Sequence, residues 1–134
     1  MADQRQISEE ISTLFDEASG DVAVGDLEAA VEKYRQCISI DPSYSEGWHA
    51  LGMALMKTGH FPEAIEAGLE ATRLSPNDLL AWSSLSMFYV RNNQIAEAEA
   101  AGVKARILSW GGKIAITKEE PERTAPLPDG TTTK

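Results

Sequence analysis

The chain has 134 residues, of which 43% are hydrophobic, and this is enough for one domain with a buried core. Its formal net charge of -9 disfavours nucleic acid and anionic membrane surfaces as partners, because both would repel it. The single cysteine, Cys37, excludes an internal disulfide and a multi-cysteine metal site. The sequence has no signal-peptide pattern and no membrane-spanning stretch, so a soluble cytoplasmic protein is expected.

Hydrophobic spacing predicts that the chain begins with two amphipathic helices. Apolar residues at intervals of three and four start at Ile7 and continue to about Val24, and a turn is expected at 25–26. Gly20 should weaken this first helix by about 1 kcal/mol relative to alanine. The second helix is predicted to stop before Pro42, because proline cannot continue a helix.

The stretch 45–78 has the pattern of a complete helix–turn–helix unit. Trp48 and Leu51 lie on one face of its first predicted helix. Gly59 interrupts the helical pattern, and a second helix then runs to a stop at Pro76. Related residues precede and follow this stretch, which indicates an internal repeat.

The repeat has a spacing of 34 residues and extends over three units. The segments WHALGMAL at 48–55 and WSSLSMFY at 82–89 resemble the tetratricopeptide repeat, whose pattern begins W-x2-L-G-x2-Y. The columns that recur are Pro42 and Pro76; Trp48 and Trp82; Leu51 and Leu85; Ala30, Ala64 and Ala98; Gly25, Gly59 and Asn93; Leu27, Phe61 and Ile95; and Ile40, Leu74 and Leu108.

This resemblance implies an all-α fold, a right-handed superhelical stack of three antiparallel helix pairs that forms a small α-solenoid. We expect a repeat domain over 1–112, with units at 11–44, 45–78 and 79–112. The segment 113–134 is rich in proline, threonine and charge, so we expect a partly disordered tail there.

Two glycines depart from the repeat pattern. Gly68 and Gly102 occupy the column in which the first unit has Tyr34. Because glycine inside a helix costs roughly 0.5–1 kcal/mol relative to alanine, the pair suggests close helix contact. The alternative is room for a bulky neighbour, such as Trp82 or Trp110.

The sequence offers little support for catalysis, a cofactor or a metal site. His49 is predicted on a helix and His60 in a turn, and neither has Glu or Cys at metal-ligand spacing. Glu63, Glu66 and Glu70 are more simply a solvated helix face than an acid–base pair. Glycine-rich phosphate loops and G-x-S-x-G elbows are missing. An accessory subunit of an enzyme is the least favoured alternative, and activity lost on His49→Ala would support it.

The resemblance implies that the first helix of each pair lines the concave side of the stack, and here that side is apolar. His49, Met53 and Met56 lie at i, i+4 and i+7, and no charged residue occurs from Leu79 to Val90. We therefore predict a non-catalytic scaffold or adaptor whose Met-lined groove binds a peptide or helix of an unidentified protein. The predicted partner-binding residues are His49, Met53, Met56, Lys57, Leu80, Ser83, Ser84, Met87, Val90 and Arg91.

Two alternatives for this surface stay open at this point. The Met residues could instead pack against the first unit or beneath the C-terminal segment. Lys57 and Arg91 could receive a partner's carboxylate, although a solvated pair of helix-end cations is the more ordinary interpretation.

The clamp that some members of the family use for chaperone tails is not expected here. It needs Lys and Asn in the first unit, Asn in the second, and Lys and Arg in the third. Binding of an EEVD-type tail is therefore disfavoured, because these columns contain Phe15, Ser19, Ala50, Leu80 and Ser84.

The end of the array raises the question of self-association. The last predicted helix stops at 111–112, and no complete helix is predicted to cover it. Trp110, Ile114 and Ile116 could fold back as a partial lid. Otherwise the exposed face could pair with a second copy, which makes a self-assembling homodimer the alternative prediction.

Overall fold

The computed structural model describes residues 3–113, and within this range it is all-helical, as predicted. The part of the tail beyond Lys113, including Ile114 and Ile116 of the predicted lid, lies outside the described residues. The helices are α1 (Gln4–Ala23), α2 (Leu27–Ile40), α3 (Ser45–Lys57), α4 (Phe61–Leu74), α5 (Leu79–Arg91) and α6 (Ile95–Ser109).

Consecutive helices pack as three pairs, α1 with α2, α3 with α4, and α5 with α6. Contacts of α2 with α3 and of α4 with α5 join the pairs into one stack. The first helices of the second and third pairs, α3 and α5, also contact each other directly. This neighbour-to-neighbour packing is typical of an α-solenoid.

The turn within each pair has the same backbone geometry. Gly25, Gly59 and Asn93 have φ values of 87°, 86° and 62°, in the left-handed region. Glycine adopts this region without strain, and asparagine is among the residues that tolerate it best. The following N–H bonds to the carbonyl five residues back, which closes the preceding helix. These bonds are Asp26 to Asp21 at 2.8 Å, His60 to Leu55 at 2.9 Å and Gln94 to Tyr89 at 2.8 Å.

The tryptophan and proline columns of the repeat are joined by a hydrogen bond. The indole N–H of Trp48 donates to the carbonyl of Pro42 at 2.7 Å, and that of Trp82 donates to Pro76 at 2.8 Å. Each tryptophan thus fastens the first helix of its unit to the loop that ends the preceding unit. Trp110, which replaces the proline in the third unit, is largely exposed.

The core is centred on Phe88, the largest fully buried side chain among the described residues. A Cβ added at Gly52 would lie 2.8 Å from Cε2 of Phe88, and one added at Gly68 would lie 3.1 Å from Cδ2. Leu85 Cδ1 would lie 3.0 Å from the same added atom at Gly68. The two glycines therefore make room for the phenylalanine ring.

This packing corrects one sequence-based expectation. The bulky neighbour at Gly68 is Phe88, and neither Trp82 nor Trp110 takes that place. A Cβ at Gly102 would meet only the hydroxyl oxygen of Ser86, at an ordinary 3.6 Å. Close packing thus explains the glycine of the second unit and not that of the third.

Candidate partner-binding groove

The predicted partner-binding residues lie on α3 and α5, and the structure separates them by depth. Met56 and Ser84 are buried, so they support the surface from beneath. His49, Met53 and Met87 are half-buried. The residues that remain exposed are Lys57, Leu80, Ser83, Val90 and Arg91.

The apolar part of this surface runs along α5. Leu80 is 59% exposed and Val90 is 50% exposed. Met87 lies between them on the same side of the helix, and it also packs against the core, as Met53 does on α3. We call Met53, Leu80, Met87 and Val90 the groove residues.

A hydrogen bond between His49 and Ser84 links the two helices of the groove. Nε2 of His49 lies 2.8 Å from the hydroxyl oxygen of Ser84. Burial lowers the pKa of His49, and the carboxylate of Asp78 opposes this shift. His49 is therefore neutral at pH 7, and its ring serves as a fixed polar contact between α3 and α5.

Acidification is expected to destabilise the fold through His49. An unfolded histidine takes up a proton near pH 6.5, whereas folded His49 does so only at lower pH. Below about pH 6.5 the unfolded state binds more protons, so the free energy of unfolding falls as the pH drops through the folded pKa. Urea unfolding of the wild type and His49→Gln at about pH 7 and about pH 5 tests this. The variant should lose less stability than the wild type, and an equal loss would contradict the assignment.

The spacing of His49 and Ser84 also resembles that of a base and a serine nucleophile. Ser84 is buried within α5, where the backbone N–H groups are used in helical hydrogen bonds. The N–H groups of Ser84 and Leu85 are therefore not free to stabilise an oxyanion beside this hydroxyl. The geometry favours a structural role for this pair.

One end of the groove carries cations. Cζ of Arg91 lies 5.4 Å from the ring centroid of Phe61, at the start of α4. Such contacts contribute about 0.5–1 kcal/mol at exposed sites. Lys57, in the same column of the preceding unit, is exposed. Whether these cations receive a carboxylate stays a prediction.

An aromatic cluster that the sequence analysis did not identify joins α1, α2 and the loop before α3. Phe15 stacks edge-on against Tyr34 at 5.3 Å and Tyr44 at 5.8 Å between ring centroids. Burial raises the pKa of Tyr44 to about 12. Phe15 shares a repeat column with His49, and this column was the signal that could have revealed the cluster.

Among residues 3–113, no group of three or more His, Cys, Asp or Glu side chains could hold a metal ion. Over the same residues, no helix is both long enough and apolar enough to cross a membrane.

Comparison with known families identifies the repeat. A TPR repeat profile matches residues 21–59, and a tetratricopeptide repeat profile matches residues 45–78. A TPR repeat-containing protein of Pseudomonas aeruginosa is 38% identical over 53 residues, which is 40% of this chain. The matched region spans 50% of that relative's length.

Solved structures share the fold at low sequence identity. The crystal structure of MamA superposes with a TM-score of 0.73 at 20% identity, covering 76% of this chain and 60% of MamA. The TPR2B domain of yeast Sti1, in complex with pHsp70, gives 0.74 at 23% identity, covering 77% and 82%. The second TPR of Spaghetti, bound to an HSP90 peptide, gives 0.72 at 20% identity, covering 77% and 95%.

Proposed function

Because the chain is a tetratricopeptide repeat protein, we propose that it is a non-catalytic interaction module whose groove binds a peptide or helix of a partner protein. Two solved relatives, the Spaghetti and Sti1 domains, are complexes with chaperone ligands, which supports this use of the fold. In such a role the helix stack is a rigid frame, and the groove residues provide the contact surface.

The observation that carries the proposal is the second apolar side of α5. Leu85 and Phe88 fill the core on one side of this helix. Leu80 and Val90 are exposed on another side, where an ordinary surface helix would present polar residues. Burying them against a partner would remove apolar surface from water, with a gain of roughly 25 cal/mol per Å².

The groove favours a partner with an apolar stripe that ends in a carboxylate. The half-buried side chains of Met53 and Met87 can adjust to different apolar residues, because methionine is flexible and polarizable. Lys57 and Arg91 lie at the end of the stripe, where a partner carboxylate could pair with them. A clamp for chaperone tails is disfavoured, since Phe15 and Leu80 stand in two of its cationic columns.

Charged substitutions at exposed groove positions should weaken peptide binding without unfolding the protein. Peptides selected from a displayed random library on the wild type supply the ligand, and their Kd is measured by fluorescence anisotropy. Leu80→Glu and Val90→Glu should each weaken binding about 10-fold or more, which corresponds to about 1.4 kcal/mol. Leu69→Glu, a control on α4 that is 46% exposed, should bind as the wild type does.

Charged substitutions of Met53 and Met87 test whether these side chains line a binding groove or belong to the core. Met53→Glu and Met87→Glu should lose peptide binding in a protein that stays folded, with a somewhat lower thermal unfolding midpoint because these half-buried side chains also pack against the core. Collapse of the fold would instead assign these side chains to the core, because a buried charge is costly. Selected peptides that bind Leu80→Glu as tightly as the wild type would overturn the groove itself.

A further inference from the structure

The outward side of α6 is apolar along its whole length. Ala96, Ala100, Val103, Ile107 and Trp110 recur at spacings of four and three, and all five are exposed. This alternation is the heptad spacing of a helix that packs along another helix. We call these five residues the α6 seam. Within the seam, the side chain of Trp110 is 78% exposed, which is unusual for so large an apolar residue.

The earlier units do not share this feature. At the first four positions of the seam, α2 has Glu28, Glu32, Arg35 and Ser39, and α4 has Pro62, Glu66, Leu69 and Arg73. Five of these eight residues are charged, as expected for the solvated side of a repeat helix. Ordinary exposure on the convex side therefore does not account for the apolar residues of α6.

In the repeat columns that face the next helix pair, by contrast, α6 has charged residues where α4 has uncharged ones. Ile65 and Thr72 are buried on α4, where α5 packs against it. The residues of α6 in these two columns are Glu99 and Arg106, and both are exposed. Compared with α4, the apolar side of α6 therefore lies one residue position further round the helix. It faces the outside of the solenoid and not the direction in which a further helix pair would stack.

We propose that the α6 seam is a homodimer interface, in which α6 packs antiparallel against α6 of a second copy of this chain. The first argument is size. The N-terminal half of the seam has the small residues Ala96 and Ala100, and the C-terminal half has the larger Val103 and Ile107. Antiparallel pairing sets Ala96 against Ile107 of the second copy and Ala100 against Val103 of the second copy, so large residues meet small ones.

The second argument is charge. Glu99 and Arg106 flank the seam on the same side. Antiparallel pairing about the middle of the helix brings Glu99 of each copy beside Arg106 of the other, and the two-fold axis makes this contact twice. Parallel pairing would place small residues opposite small ones and Trp110 opposite Trp110. Both arguments favour a two-fold antiparallel pair, and neither depends on the groove residues.

The interface is tested by sedimentation of the full chain. A dimer is expected at micromolar concentration, and Val103→Glu should shift it to a monomer that keeps the helical circular dichroism spectrum of the wild type, with a lower unfolding midpoint because the stabilisation by the second copy is lost. Leu69→Glu is a matched control, because Leu69 occupies the same repeat column on α4 and is exposed to 46%, compared with 42% for Val103. This control should remain dimeric. A wild-type monomer at high micromolar concentration, or a Val103→Glu dimer, would overturn the proposal.

Charge exchange tests the antiparallel arrangement. Glu99→Arg and Arg106→Glu should each raise the dimer dissociation constant, because each brings like charges together across the two-fold axis. The double variant Glu99→Arg/Arg106→Glu restores opposite charges and should recover most of the wild-type affinity. A double variant as weak as the single ones would overturn the antiparallel pairing. A wild-type monomer that dimerises once residues 114–134 are removed would assign the seam to that segment and likewise overturn the proposal.

Discussion

Replacing Phe88 with alanine is expected to lower the free energy of unfolding by about 3–5 kcal/mol, the range for deleting a buried aromatic ring. Phe88 is fully buried, and two of its neighbours are Gly52 and Gly68. Because these glycines have no side chains that could move into the cavity, relaxation is limited on their side and the loss should lie toward the upper end. Urea denaturation monitored by circular dichroism measures the change, with Phe88→Leu as the milder control.

The repeat suggests a substitution that should restore part of this loss. One repeat earlier, 34 residues before each position, the Gly68 column contains Tyr34 and the Phe88 column contains Ala54, and both are buried in the same core. The ring has thus moved from the second helix of one unit to the first helix of the next. Gly68→Tyr combined with Phe88→Ala recreates the earlier arrangement.

The double variant should therefore be more stable than Phe88→Ala alone, whereas Gly68→Tyr alone should destabilise by overpacking. A coupling energy near zero in this double-mutant cycle would show that the two arrangements are not equivalent.

Alanine in place of Gly52 is expected to destabilise the protein, although alanine is the better helix former. The added methyl would lie 2.8 Å from the ring of Phe88 and 3.3 Å from the backbone carbonyl oxygen of Ala64. Overpacking of this kind costs typically 1–3 kcal/mol, and the helix propensity of alanine offsets about 1 kcal/mol of it. The net result should be a lower thermal unfolding midpoint.

Two other helical glycines, Gly20 and Gly102, provide matched controls of opposite sign. An added Cβ at Gly20 meets nothing within 4 Å, and one at Gly102 meets only Ser86, at 3.6 Å. Gly20→Ala and Gly102→Ala should therefore each raise the free energy of unfolding by up to about 1 kcal/mol, and the thermal unfolding midpoint should rise with it. If Gly52→Ala also raised it, the proximity of Phe88 would not be the reason for glycine at that position.

Much of the fold was predictable, because the repeat expresses local rules. Proline ended α2 and α4 near the predicted positions, and the turn column holds the left-handed residues Gly25, Gly59 and Asn93. Ser86 occupies the repeat column in which the preceding unit has Gly52, and the contact that this serine makes could not be predicted in the same way. The Ser86 hydroxyl donates to the carbonyl of Ala98 at 2.7 Å, on the neighbouring helix. No local rule predicts that partner.

The sequence could assign the predicted partner-binding residues to repeat columns, but it could not show how far each of them is exposed. Helical spacing placed Met53 and Met56 on the same broad side of α3, yet only Met53 reaches the surface in part. The difference arises because neighbouring helices cover Met56, and a hydropathy pattern does not reveal how far they extend. The buried partner of His49, Ser84, lies 35 residues away in the chain and was likewise beyond local reasoning.

By itself, the sequence determined that the chain is a stack of repeated helix pairs, because caps, turns and the 34-residue period act within one or two units. The tertiary structure alone decided which apolar residues remain exposed to water. It buried Phe88 against two glycines, covered Met56, and left Leu80, Val90 and the α6 seam exposed. The physical reason is that apolar residues look alike in sequence, and only the packing of helices from other units decides which of them lose contact with water.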